Sequence, residues 1–282
     1  MARCVRNHPP VTQLLVKLFL APSFVVGASV TARQYGPRVG GLVGGLPVVA
    51  GPILLAYALA HGDGFAADAA TGTLLGLVSL IAFGVVYGRL AGRLSWGATM
   101  LAGWLAFAVA TLIFSAFTIP AGVGLVLAFA AIAAGLALLP RAPAVPPPGN
   151  PPPTWDLPLR AACALALVLT LTAIAGWLGP QLSGLLAPFP IIATVLAIFT
   201  HAQRGAGETL HLLRGLIAAY GAFALFCFTL AVSLRSLGLA AAFLLATAVA
   251  LLAQALVFAL THRPGGALAE QQLAEPELGG TS

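Results

Sequence analysis

The sequence predicts an all-α polytopic membrane protein of about nine transmembrane helices, arranged as a 4+1+4 inverted-topology repeat. Three observations predict it. The 282 residues are 60% hydrophobic and only 7% charged, against about 25% charged in soluble domains. Apolar stretches long enough to cross a bilayer, roughly 20 residues each, follow one another along the chain. The sequence also aligns with itself after a shift of 143 residues.

Turn and charge signals punctuate the spans. The first runs from Val11 to Thr31, the second from Val39 to Ala60, the third from Ala66 to Leu90 and the fourth from Ser95 to Phe117. A Thr118-Ile119-Pro120 turn leads into a fifth that ends at Leu139. The stretch PRAPAVPPPGNPPP, residues Pro140 to Pro153, is too proline-rich for a helix and reads as a stiff extended linker. The sixth span covers Leu159 to Leu178, the seventh Leu182 to His201, the eighth Thr209 to Leu234 and the ninth Leu237 to Leu260. The domains are therefore a first repeat (1–117), an inverting linker helix (118–140), a proline-rich linker (141–158), a second repeat (159–262) and a polar acidic tail (263–282) expected to be disordered. Arg3 and Arg6 ahead of the first apolar run resemble a signal peptide, but Lys17 interrupts that run and the segment has an internal counterpart.

The shift of 143 runs without a gap over roughly seventy residues. Lys17 meets Arg160, Gly36-Pro37 meets Gly179-Pro180, Pro47 meets Pro190, Gly62 meets Gly205, Gly72 meets Gly215 and Phe83 meets Phe226. Spans one to four thus match spans six to nine, and the fifth is left over. Five crossings then separate each element from its copy, so the copies run in opposite directions. The arginines agree: Arg33, Arg38, Arg89, Arg93, Arg141, Arg204 and Arg263 fall on one side, and Arg3, Arg6 and Arg235 on the other. The positive-inside rule then places the N-terminus outside and the C-terminus in the cytoplasm of a bacterial inner membrane. The formal surplus of six positive charges records membrane orientation, and nucleic-acid binding is not expected. Cys4, Cys163 and Cys227 are too dispersed for a disulfide framework or a zinc site.

The second half resembles the GlpM-like family of small bacterial inner-membrane proteins. The residues that carry the likeness are a basic-apolar first helix from Arg160, then GLLAPFPIIATVLAIFTHAQRG with its Pro-Phe-Pro kink, and Glu208 opening the next helix. The first half matches more loosely, with GLVGGLPVVAGP in place of the kink. The resemblance implies a tandem fusion of two such units, complete as a monomer if single units pair antiparallel; it informs fold more than function.

Candidate functional residues follow from two costs. Proline and glycine interrupt spans two and seven: Gly44, Gly45, Pro47, Gly51 and Pro52 in the former, Pro188 and Pro190 in the latter. Interruptions free backbone carbonyls and amides at membrane depth, where secondary transporters build their sites; such residues also serve as ordinary kinks and packing points. Ionisable groups in spans are expensive. Lys17 and Arg160 either snorkel to the interface or attract an anion from opposite sides of a cavity. Asp68, Glu208, His211 and Arg214 are either interfacial caps or proton-coupling groups. No HExxH, GxSxG or phosphate-loop context is present, so no enzyme and no cofactor is expected. Two readings remain: a transporter of a small polar or anionic solute, and a non-transporting scaffold or accessory subunit of an envelope polysaccharide or lipid pathway.

Overall fold

In the computed structural model, residues 11–48, 50–117, 119–142, 153–170 and 189–261 are described. Among them the chain is all-helical: α1 (Val11–Tyr35), α2 (Pro37–Gly44), α3 (Ala50–His61), α4 (Asp63–Leu90), α5 (Trp96–Ser115), α6 (Ala121–Leu138), α7 (156–170), α8 (Ile191–Leu237) and α9 (Leu239–Thr261). Five of these, α4, α5, α6, α8 and α9, are long and apolar enough to cross a membrane. The outer faces of α5, α6 and α9 carry exposed Leu105, Leu112, Val126, Leu244 and Leu252. No soluble domain leaves such faces to water; lipid is their solvent, and the chain is a helical membrane protein.

Packing centres on α4 and α8. These two pack against each other, α5 lies on α4, α9 lies on α8, and α6 touches both central helices. The other end of the sheaf is α1, which contacts α2, α3 and α8. Two arginines tie down the C-terminal end of α6: Arg89 Nε donates to the Leu138 carbonyl and Arg214 Nη2 to the Leu139 carbonyl, each at 3.0 Å. Cations there satisfy the last carbonyls and complement the helix dipole.

Glycine sets the corners. Gly36, Gly62, Gly205 and Gly238 all have φ between 75° and 92°, with ψ near 180°, a region that is essentially glycine's alone. Each ends one helical path and starts another. The sequence places a loop over 202–208, but no loop is needed: α8 runs through 47 residues with the single non-helical residue Gly205. A straight helix of that length would reach about 70 Å, more than twice the hydrocarbon core, so the break at Gly205 splits it into two arms. Among the described residues no atom obstructs a Cβ at Gly205, and the cost of a substitution there is conformational. Gly205→Ala is expected to lower stability by about 1–3 kcal/mol, read as the fall in the thermal midpoint of purified protein.

Several boundaries differ from expectation. The second span is two helices, α2 and α3, with residues 45–48 non-helical between them. Helix α1 continues to Tyr35, and α7 begins at 156, inside what reads as linker, because the Trp155 carbonyl already accepts the Leu159 amide at 3.0 Å. Most of the proline-rich linker (143–152), the segment 171–188 and the tail from 262 onward lie outside the described residues.

Candidate functional site

The break after α2 meets the start of α8. Gly45, Pro47 and Pro190 line one cavity of about 50 Å³ between the break after α2 and the start of α8. At the first break Gly45 N–H reaches back to the Gly41 carbonyl, and Val48 N–H turns onto Leu46 at 2.8 Å. At the second, Pro190 opens α8 without a side-chain cap, and Thr194 N–H takes the Pro190 carbonyl at 2.7 Å. The first turns of α3 and α8 both contribute to the wall through Ala50, Ile191 and Ala193. Helix starts carry a partial positive charge, although here Ile191 N–H is already taken by the Phe189 carbonyl at 2.7 Å and Gly51 N–H by the Pro47 carbonyl at 2.9 Å. The remaining wall is apolar apart from Tyr220, with Leu80, Phe189 and Phe223 prominent.

Neighbouring helices hold these breaks in place. The Trp104 indole of α5 donates to Thr194 Oγ1 at 3.0 Å, and Phe189 is packed between Trp104 and Phe107, with ring centroids 5.4 and 5.5 Å away. Where α2 ends, the Leu42 carbonyl receives the Gln254 amide of α9 at 3.0 Å. Gly44 and Gly45 let α2 approach α8 so closely that a Cβ on Gly45 would overlap that of Ala219.

Eight of the thirteen described residues lining the cavity form four pairs. Leu46 and Phe189, Pro47 and Pro190, Ala50 and Ala193, and Leu80 and Phe223 all face it, and each pair is separated by 143 residues. Pro52 falls in the first turn of α3, where proline's missing amide has no intrahelical partner to lose. Pro188 lies outside the described residues, as does the side chain of Lys17 on α1.

Arg160 lies elsewhere, in a charged cluster joining α1, α7 and α8. At its centre the Asp156 carboxylate is fully buried. It accepts from Arg160 Nε at 2.9 and 3.1 Å, from Arg33, and from the Gln203 amide. The Arg160 guanidinium also lies 4.8 Å from the Phe199 ring centroid. Glu208 pairs with Arg204 at 3.3 Å, one helical turn away across Gly205. Sequence reasoning singled out Arg160 and Glu208 but passed over Asp156, Arg33 and Gln203. One signal was available: Asp156 and Arg160 are four apart, the spacing of a helical ion pair, beside a stretch where any charge is costly.

The other ionisable candidates separate from both groups. Asp68 is exposed and pairs with Arg235 at 2.7 Å. Arg214 is engaged by the end of α6, its Nη2 also 3.0 Å from the Pro140 carbonyl. His211 lies in α8, half-buried and engaged with neighbouring groups.

These features define a class: a helical membrane protein in which a helix break after α2 and the start of α8 line one cavity. No family model matches the chain, and no curated protein or solved structure matches it.

Proposed function

We propose that this is a secondary-transporter-like protein, in which two inverted four-helix repeats rock about the central cavity and pass a small polar or anionic solute. The supporting observation is the pairing of the wall: four residue pairs, each 143 apart, around one cavity. A two-fold relation between repeats puts equivalent residues at the same distance from the axis, and the cavity sits where the breaks cross. Corners fall at matching positions too: Gly62 and Gly205, Ser95 and Gly238 each precede a helix start. In this reading α6 is the inverting helix, and each half is a unit similar to the GlpM-like proteins. Two helix starts at the cavity favour an anionic or electron-rich group, and the apolar walls favour a small one.

The same reading orients the chain in a bacterial inner membrane, N-terminus outside and C-terminus in the cytoplasm. Arg235 is the one described arginine on the outer side, and Asp68 neutralises it. The scaffold reading draws on the predominance of apolar side chains around the cavity.

A thermal-shift screen of purified protein against small carboxylates and polar metabolites separates the two. Transport predicts a solute that raises the midpoint saturably in wild type but not in Ala193→Leu, which fills the cavity. A broad panel with no stabilising solute favours the scaffold.

A further inference from the structure

The charged cluster borders a cavity of its own, of about 30 Å³, lined among others by Ser29, Arg33, Arg160, Gln203, Arg204 and the carboxylate residue Glu208. Three guanidinium groups face it: Arg160 as a buried floor, its side chain 8% exposed, and Arg33 and Arg204 nearer the surface at 29% and 31%. Two carboxylates, Asp156 and Glu208, answer them. Three positive charges against two negative leave one in excess, carried by the cluster's solvent-facing side where Arg33 and Arg204 are partly exposed. A second observation is independent of charge. Ser29 is 3% exposed, lines this cavity, and its hydroxyl has no hydrogen-bond partner among the described residues, although buried hydroxyls are normally satisfied.

We propose that this cavity binds one monovalent anion, chloride or the carboxylate group of a small acid. The hydroxyl of Ser29 and the guanidinium groups of Arg33, Arg160 and Arg204 supply donors, and a single negative charge balances the cluster. The volume suits a single small ionic group, since a water-sized sphere needs about 10–15 Å³ on this measure. A cation would add to the existing excess, and a dianion would reverse it. The partly exposed Arg33 and Arg204 mark the way in from solvent. This site is separate from the central cavity and does not rest on transport.

The test uses full-length purified protein and thermal midpoints in sodium chloride, sodium acetate and sodium gluconate at equal ionic strength, gluconate being too bulky for the cavity. A saturable rise with chloride or acetate, absent with gluconate, is expected, and the more effective ion identifies the occupant. Arg204→Gln should raise the half-saturating concentration about tenfold or more, the usual effect of losing a charged hydrogen bond. Ser29→Ala should raise it severalfold, while Arg235→Gln, at the exposed pair with Asp68, should leave it unchanged. Equal midpoints in all three salts, or an anion response that neither Arg204→Gln nor Ser29→Ala alters, would overturn the proposal. Loss through Ala193→Leu but not through Arg204→Gln would place the effect at the central cavity and overturn it equally.

Discussion

Replacing Asp156 with asparagine is expected to cost the folded protein about 3–5 kcal/mol, the usual price of removing one partner from a buried ion pair. The carboxylate joins three helices that are distant in sequence, accepting from Arg33 of α1, Arg160 of α7 and Gln203 of α8. An amide of the same shape keeps the volume and loses the charge, so Arg160 stays buried beside a neutral group. The measurement is the thermal midpoint and the fraction of monodisperse protein in detergent. A midpoint unchanged from wild type would show that the cluster contributes nothing net. The same group carries a pH dependence. Burial pushes the Asp156 carboxyl up, but the hydrogen bonds from Gln203, Arg160 and Arg33 and the Arg160 charge outweigh burial and hold it below its ordinary value. Because the folded value is depressed, its stabilisation is complete above the ordinary carboxylate value of about 4 and is lost as pH falls through the lowered value. Asp156→Asn should abolish that acid-side slope.

Gly215→Leu is expected to prevent folding. A Cβ at Gly215 would overlap the Arg38 carbonyl oxygen of α2, and one at Gly41 would overlap the Leu212 carbonyl of α8. These obstacles are backbone atoms, which cannot swing aside, so even Gly215→Ala should cost about 1–3 kcal/mol as overpacking. Gly72 is the informative control. The 143-residue shift pairs it with Gly215, yet among the described residues nothing lies within 4 Å of a Cβ built there. Gly72→Ala should stay within about 0.5 kcal/mol of wild type, and equal losses for the two alanine variants would refute the close crossing of α2 and α8.

Gly72 and Gly215 also show where sequence reading stops. Self-comparison treats them as equivalents, but only one meets another backbone. The same holds at the corners: Arg204 and Glu208, beside Gly205, correspond by the shift to His61 and Phe65, beside Gly62. The first pair is ionic, while His61 and Phe65 stack with ring centroids 4.7 Å apart. Pro47 and Pro190 were legible as interruptions because proline and glycine act locally on their own helix. Their convergence on one cavity is a tertiary fact. Arg160 was legible as an expensive charge, with either the membrane interface or a cavity as its expected destination; the structure gives it Asp156, which the proline-rich neighbourhood disguised as linker.

Composition and apolar run length by themselves determined the helical membrane class, since a bilayer core admits little else. Local signals determined the breaks at Gly45–Val48 and Pro190 and the corners at Gly62 and Gly205. Which residues meet was decided only in three dimensions. A helix that is apolar all round announces no inward face, so its rotation is set by a few small residues that permit close approach and a few polar groups that demand a partner. In this chain those are Gly41 and Gly215 on one hand, and Asp156, Arg160, Trp104 and Gln254 on the other.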